Sequence, residues 1–238
     1  MNKSPAAYYH VGVIPDGNRR WAHQRNLHPS EGHKMGAKKG RLFVDWAFAK
    51  PEIKEISMYG LSEENFKRSE DELDRLCDIY FEIGNSLLDE KVLHEKEVRV
   101  NFISTKPEKL PNNIIEVFDE VKSETKFYGN KILNILIGYT GQNEILRAVS
   151  SPMNRVKNLF FGLNENDLER NLGVKNSCDL IIRSGEEEKE REAKSGFLLW
   201  QSAYSEYYHI NKFWPDVGIR DFNMAWNYFL SMRRLKGQ

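Results

Sequence analysis

The segment from residue 10 to residue 22, HVGVIPDGNRRWA, contains the side chains best suited to chemistry in this chain. Its apolar run stops at Pro15, and the next residue, Asp16, indicates a strand that delivers a carboxylate into a turn at a helix start. Free backbone N–H groups at a helix start favour an anion, and Arg19 and Arg20 add positive charge. A carboxylate in such surroundings is typical of a site where Mg²⁺ bridges the protein to a diphosphate. The alternative is an ordinary strand-to-helix turn, with Asp16 as a turn former or N-cap.

The composition limits the class of protein. A length of 238 residues suits one domain with a sizeable core. The 35 basic and 35 acidic residues give no overall field that would attract nucleic acid, so we expect no nucleic-acid partner. Cys77 and Cys178 lack metal-type spacing, and no apolar run reaches the roughly 20 residues that span a bilayer. The N-terminal residues also lack the apolar stretch of a signal peptide, and we expect a cytoplasmic protein with reduced thiols.

Strand-like and helix-like patterns alternate along the chain. This alternation predicts an α/β fold: a single domain, 1–238, with an open, mostly parallel central sheet of about six strands flanked by helices. The expected strands are Tyr9–Ile14, Ile56–Leu61, Val98–Ser104, Ile132–Tyr139, Asp179–Arg183 and Glu206–Ile210. The expected helices are Gly32–Ala49, Ser69–Lys96, Asn112–Lys126, Gln142–Lys157, Glu165–Leu172 and Ile219–Leu235.

Polar residues suited to phosphate or metal follow four of the expected strands. Ligands of open α/β sheets gather at the carboxyl ends of the strands, so these residues are expected to meet at one edge of the sheet. They are Asp16, residues 62–68, residues 139–143 and residues 183–185.

The helix expected after Arg68 carries a broad apolar stripe. Such a stripe favours packing on the sheet, and its breadth also permits it to form one wall of an apolar tunnel. The stripe consists of Leu73, Leu76, Tyr80, Ile83 and Leu87, widened by Cys77, Phe81 and Leu88.

Five segments together resemble the cis-prenyltransferase family, the undecaprenyl diphosphate synthase-like or Z-isoprenyl diphosphate synthases. The similarity runs from about residue 10 to the C-terminal helix, and FLLWQSAYSE followed by FWPD is its most specific part. The resemblance implies a Mg²⁺-dependent transferase of prenyl groups, with prenyl diphosphates as substrates, an apolar tunnel and a homodimer. The segments are PDGNRRWA (15–22), EGHKMG (31–36), YGLSEENFKRSEDEL (59–73), LIIRSGEEEKEREAKSGFLLWQSAYSEYYH (180–209) and KFWPD (212–216).

The same resemblance implies roles for individual residues. It gives Asp16 the Mg²⁺ ion on the leaving diphosphate, with Glu206 completing the metal environment. It places Ser62 and Asn65 between the two substrates, one of them as a possible proton relay. The residues implied to bind substrate are Gly17, Asn18, Arg19, Arg20, Trp21, His33, Phe66, Arg68, Arg183, Arg191 and Ser195.

Plain structural roles are the alternatives for three of these side chains. His33 could simply occupy a helix start, Arg68 could pair with Glu72 in a surface contact worth little, and Glu206 could be solvated.

The chain departs from the family pattern around the diphosphates. Arg19 stands where the family has a small residue, and Pro29 replaces an arginine for which Arg19 could compensate. The family's Asn-Tyr-Gly-Gly-Arg becomes GYTGQ at 138–142, and Phe66 replaces a tryptophan. An acidic insertion, EEEKERE (186–192), leaves Arg191 near the position of the second diphosphate-binding arginine.

The residues retained and altered define the expected reaction. We expect an allylic prenyl diphosphate to condense with isopentenyl diphosphate in cis head-to-tail elongation, with release of diphosphate. The altered acceptor region leaves open a nonhead-to-tail, lavandulyl-type condensation with dimethylallyl diphosphate as acceptor. A non-catalytic subunit of a heteromeric prenyltransferase is a weaker alternative, because Asp16 and His33 are kept. Membrane contact is expected to be at most peripheral, through a lipid product.

Overall fold

The computed structural model describes residues 8–160, 162–185 and 195–232. Six strands form one sheet in the order β3-β4-β2-β1-β5-β6, and all five pairings are parallel. The expected open sheet of six strands is confirmed, with no antiparallel strand in the described part of the chain. The strands are β1 (Tyr9–Ile14), β2 (Ile53–Ser62), β3 (Val98–Ile103), β4 (Lys131–Tyr139), β5 (Leu180–Ser184) and β6 (Glu206–Ile210).

The helices follow the expected order, with two breaks. The expected helix Ser69–Lys96 ends at Leu88 and a short helix follows it, while Gln142–Lys157 divides before Pro152, which has no N–H to continue the preceding helix. The helices are α1 (Asn18–Gln24), α2 (Pro29–Phe48), α3 (Glu70–Leu88), α4 (Lys91–Glu95), α5 (Asn112–Thr125), α6 (Gly141–Val149), α7 (Pro152–Phe160), α8 (Glu165–Glu169) and α9 (Ile219–Ser231). Short 3-10 helices span Glu63–Lys67, Pro107–Lys109 and Trp214–Asp216.

Apolar side chains cover both faces of the sheet. On one face, Val11 and Val13 of β1 belong to a buried cluster that includes residues of α2, α3, α5 and α9. On the other face, Ile14 belongs to a smaller cluster with Tyr59 and Phe197. The near-continuous apolar runs of the inner strands β1, β4 and β5 are therefore explained by burial on two sides, whereas the edge strands β3 and β6 are only partly buried.

Helices α2 and α3 connect consecutive parallel strands of this sheet. Each must therefore run from the carboxyl edge of the sheet back to its amino edge. A long cavity lies between these two helices and the sheet, so that one of its ends opens where the strands end. Among the described helices, none combines the length and the apolar composition that crossing a bilayer requires.

Candidate active site

Asp16 lies just beyond β1, at the carboxyl edge of the sheet. Its N–H donates to Ser184 Oγ at 3.0 Å, and that hydroxyl donates back to the Asp16 carbonyl at 3.0 Å. Its carboxylate accepts a 2.8 Å hydrogen bond from Arg183 Nη2 and lies 3.5 Å from Arg20 Nη2. The N-cap of α1 is Gly17, with a left-handed φ of 99°. The alternative in which Asp16 caps the helix is therefore wrong, and its carboxylate faces two arginines instead.

Arg183 connects Asp16 to a residue twelve positions further along the chain. Its Nη1 donates to Ser195 Oγ at 3.0 Å, so one guanidinium bridges the two oxygens. Tyr59 holds the backbone at Ser195 next to the end of β4, because its hydroxyl donates to the carbonyls of Ser195 and Tyr139 at 3.1 and 2.9 Å. Burial raises the pKa of Tyr59, with a further contribution from nearby carboxylates, so the phenol remains a donor.

Three basic side chains surround a second carboxylate, the buried one of Glu72. Glu72, on the first turn of α3, is 5% exposed, and its Oε1 lies 3.2 Å from Arg19 Nε and 3.1 Å from Arg68 Nη1. The same oxygen lies 3.3 Å from His33 Nε2. The pairing of Arg68 with Glu72, raised as the alternative to a substrate contact, is present, but it is not the surface contact that this alternative assumed.

His33 is buried in the second turn of α2, beyond the helix start. Burial, followed by the charge of Arg68, lowers the pKa of His33 to about 4, although Glu72 opposes the shift. The imidazole is therefore neutral near pH 7, so one ring nitrogen carries a proton and the other accepts.

Two glycines allow α1 and α2 to approach closely at this site. A Cβ atom at Gly32 would lie 2.0 Å from the Asn18 carbonyl oxygen, and one at Gly36 would lie 2.6 Å from Asn18 Oδ1. Asn18 Oδ1 is buried and lacks a hydrogen-bond partner in the described part of the chain. The sequence analysis missed this contact. The signal that could have shown it is the spacing of four residues between the two glycines, which places both on one face of α2.

The predicted Ser62 and Asn65 both lie at the mouth of the cavity. Ser62 precedes the 3-10 helix Glu63–Lys67, and its N–H donates to Asn65 Oδ1 at 3.2 Å. Glu63 anchors this turn, because its carboxylate accepts from Asn143 Nδ2 at 2.6 and 2.7 Å and from Thr105 Oγ1 at 2.5 Å. The turn is thereby held rigidly between β2 and the start of α6.

One cavity of about 910 Å³ connects these charged groups to an apolar interior. Its volume lies in the upper part of the range of ligand sites. The predicted residues at its mouth are Asp16, Gly17, Asn18, Arg19, Arg20, His33, Ser62, Asn65, Arg68, Arg183 and Ser195. Its deeper wall includes Val44, Leu61, Leu76, Ile79, Ile83, Leu87 and Leu133.

Two predicted substrate-binding aromatics lie outside this lining. The indole of Trp21 donates to Asp216 Oδ1 at 2.8 Å, with the Arg25 guanidinium 4.4 Å from its ring centre. The ring of Phe66 packs against Gly138, where a Cβ atom would lie 2.8 Å from Phe66 Cζ. Trp21 therefore contacts the 3-10 helix Trp214–Asp216, and Phe66 contacts the end of β4.

Glu206 is separated from Asp16 within one chain. It pairs with Leu180 at the beginning of β5, whereas Ser184, which contacts Asp16, ends that strand. Four residues separate the two positions, or about 13 Å at ~3.3 Å per residue. The two carboxylates expected to share a metal ion therefore do not meet in the single chain, and the described residues hold no group of three or more His, Cys, Asp or Glu suited to a metal. Arg191 and the acidic insertion fall outside the described residues.

The donor set nevertheless fits Mg²⁺ held jointly by the protein and a diphosphate. Mg²⁺ typically takes one or two carboxylates and completes its coordination with phosphate oxygens and water. Asp16 is partly exposed at the cavity mouth, and it is surrounded by arginines that would contact the same diphosphate.

Comparison with known proteins identifies the family. The family described as putative undecaprenyl diphosphate synthase matches residues 14–237. The chain belongs to this family. The resemblance seen in the sequence is confirmed, and family membership makes the chain a transferase of prenyl groups.

Relatives of this family member cover nearly its whole length. A tritrans,polycis-undecaprenyl-diphosphate synthase (geranylgeranyl-diphosphate specific) of Pyrococcus furiosus is 37% identical over 90% of this chain and 80% of its own length. An isoprenyl transferase of Thermus thermophilus is 31% identical over 96% and 88%.

Solved structures of the family share the architecture. Lavandulyl diphosphate synthase from Lavandula x intermedia, in complex with dimethylallyl diphosphate, superposes with a TM-score of 0.86 at 26% identity, covering 97% of this chain and 98% of its own. A probable undecaprenyl diphosphate synthase from Campylobacter jejuni gives 0.76 at 26% identity, with 100% of both chains covered.

Proposed function

We propose that this chain condenses an allylic prenyl diphosphate with isopentenyl diphosphate, by cis head-to-tail elongation with release of diphosphate. A single observation carries the proposal: one cavity joins a mouth rich in arginine to an apolar interior. An allylic diphosphate has the same division into an anionic head and an apolar tail. Relatives named as undecaprenyl-diphosphate synthases support the same choice.

The two diphosphates would occupy neighbouring parts of the mouth. The allylic head fits the start of α1 and the cluster of Arg19, His33 and Arg68, because free N–H groups and guanidinium groups converge there. The acceptor head fits Arg183 and Ser195, which lie on the other side of Asp16. The ion pairs at the mouth join four arginines to two carboxylates, Asp16 and Glu72, and the charged side chains of Glu31, Lys34 and Glu64 also line the cavity.

The reaction breaks the allylic C1–O bond, and the electron pair leaves with the diphosphate. The double bond of isopentenyl diphosphate attacks C1, and a proton is then lost from the new chain. Arginines already placed at the leaving group stabilise its charge without reorganisation, and the apolar cavity keeps water from the electron-poor carbon. Ser62 and Asn65 lie at the same mouth and are the candidates to relay the proton. A magnesium ion held by Asp16 would supply further charge neutralisation on the leaving diphosphate.

An aspartate replacement tests this assignment. Asp16→Ala removes the proposed metal ligand, and we expect kcat for diphosphate release to fall at least ~10²–10³-fold, the loss typical of one such stabilising group. The matched control is Asp78→Ala, an exposed acid of α3 that is not part of the cavity. Equal activity of the two variants at saturating Mg²⁺ would remove Asp16 from the mechanism.

A nonhead-to-tail condensation is the second candidate. The superposition on lavandulyl diphosphate synthase favours it, and so do the departures around the acceptor head. Incubation with dimethylallyl diphosphate alone separates the candidates, because only the lavandulyl-type reaction uses that compound both as donor and as acceptor. The absence of any condensed product in that incubation would exclude the second candidate.

The proposal includes a homodimer that works in the cytoplasm. Strand β6 is an edge of the sheet, Tyr204 beside it is 98% exposed, and α9 presents exposed Ile219, Met224 and Leu230. An open edge next to exposed apolar side chains is typical of an interface. Light scattering at micromolar concentration should give twice the chain mass, and a monomer would contradict the assignment. Free Cys77 and Cys178 support the cytoplasmic assignment.

A further inference from the structure

The far end of the cavity has a feature that the condensation site does not explain. The lining continues along α3 from Leu76 to Leu87, about 16 Å at ~1.5 Å per residue. Near the far end of this wall, the lining includes three charged side chains, Arg41, Asp45 and Glu90, together with the apolar Leu93.

These three charges form one connected group. Arg41 Nη1 donates to the Glu90 carboxylate, and Arg41 Nε lies 3.2 Å from both Asp45 oxygens. Arg41 and Asp45 belong to α2, one turn apart, whereas Glu90 lies in the connection between α3 and α4. The guanidinium therefore ties α2 to the end of α3 across the cavity.

The position of Glu90 makes this tie costly to break. Its side chain is only 15% exposed, and its carbonyl accepts the N–H of Leu93, a buried residue of the cavity lining. An apolar tail that advanced past Leu87 would have to separate the Glu90 carboxylate from Arg41, whose own side chain is 45% exposed. The separation leaves the largely buried Glu90 carboxylate without this partner, which is unfavourable.

We propose that the Arg41–Glu90 pair is the distal gate of the cavity and sets the length of tail that it accepts. Only the effect of the gate on product length rests on the proposed function. Its effect on binding does not, since the gate limits a bound tail whether or not that tail is elongated. Arg41 and Glu90 are then specificity-determining residues, remote from the reacting atoms.

The test replaces both charges by apolar side chains of similar length, in Arg41→Met/Glu90→Met. Binding of a graded series of n-alkyl diphosphates is measured by calorimetry. In the parent chain, affinity should rise about fourfold per added methylene, the equivalent of ~0.8 kcal/mol, and then level off where the tail meets the gate. In the double variant, we expect the plateau to move to longer chains. The control is Arg75→Met, which removes an exposed ion pair with Asp71 on α3 outside the cavity and should leave the plateau in place.

Turnover gives a second readout. With isopentenyl diphosphate, the double variant should release products longer by at least one five-carbon unit. A plateau that stays in place in the folded double variant, checked by its urea midpoint, would overturn the gate. If the plateau moves but the parent forms no product, the gate stands and the proposed condensation fails.

Discussion

The buried Glu72 carboxylate should act as an internal counterion that a diphosphate can replace. It contacts Arg19, Arg68 and His33 in the chain without substrate. Glu72→Gln keeps the shape and one hydrogen-bond acceptor but removes the charge. The substitution should therefore weaken the folded chain while leaving the basic groups available to an anion.

The expected loss follows from the exposure of each contact. The Arg68 side chain is 18% exposed, and a hydrogen bond between charged groups in such a site is worth ~1.5–3 kcal/mol. The Arg19 side chain is 55% exposed, so its contact adds at most ~1 kcal/mol. Because the introduced glutamine retains one acceptor, we expect the free energy of unfolding to fall by about 1–3 kcal/mol.

Pyrophosphate distinguishes this role from a purely structural one. The variant's site holds one more positive charge, so pyrophosphate should bind it more tightly than it binds the parent, and stabilisation by a ligand grows with the ratio of its concentration to Kd. The unfolding free energies of the parent and of Glu72→Gln are measured in urea at increasing pyrophosphate concentrations. The difference between the two values should shrink as pyrophosphate is added. The control is Asp71→Asn, at an exposed acid of the same first turn. Its unfolding free energy should differ from that of the parent by no more than ~1 kcal/mol, and this difference should not change with pyrophosphate. A deficit in Glu72→Gln that stays constant at all pyrophosphate concentrations would refute the counterion role.

Three further substitutions test the surroundings of the site. Gly36→Ala should raise KM for the allylic substrate with little loss of stability, because the new Cβ meets the movable side chain of Asn18, and an unchanged KM would contradict this. Gly32→Ala should instead lower the unfolding free energy by ~1–3 kcal/mol in urea melts, because its Cβ meets the Asn18 backbone, and full stability would contradict the close approach. His33→Gln tests the pH dependence. The pKa of His33 is about 4 in the folded chain against 6.5 ordinarily, so the unfolded chain binds the proton first and His33 lowers stability as the pH falls through that window. Between pH 6.5 and 4, the unfolding free energy of the variant should fall less than that of the parent, by up to about 3 kcal/mol. Urea melts at both pH values that give the same fall for parent and variant would contradict the assignment.

The elements that local patterns specify agree with the sequence expectations. Strands Tyr9–Ile14 and Glu206–Ile210 begin and end where expected, because turn-forming residues or polar runs bound their apolar stretches. The break before α4 was missed, since the apolar stripe of α3 continues past it into Leu93 and masks the end of the helix. Periodicity reports a buried face, but it does not report where one helix gives way to another.

The site shows a similar division. The sequence identified most of the residues at the cavity mouth, because their motifs follow strand ends that converge at one edge. A pairing of Glu72 with Arg68 was raised as an alternative, but the burial of Glu72 and its contacts with Arg19 and His33 were missed. Glu72 is one of three acids in the first turn of α3, and only the packing of α2 against α3 turns it inward. Tyr59 was missed as well, since its hydroxyl donates to carbonyls 80 and 136 positions away. Ser184 was expected at a strand end, but its exchange of hydrogen bonds with Asp16, 168 positions away, was not predicted.

The most direct test of the central claim is mass spectrometry of the product made by the purified chain alone. The chain is incubated with Mg²⁺, an allylic prenyl diphosphate and isopentenyl diphosphate. We predict a condensed prenyl diphosphate, longer than the primer by whole five-carbon units, with one diphosphate released for each unit added. If the substrates are recovered unchanged from a folded chain that binds both diphosphates, the proposed condensation is contradicted and the non-catalytic subunit becomes the better description.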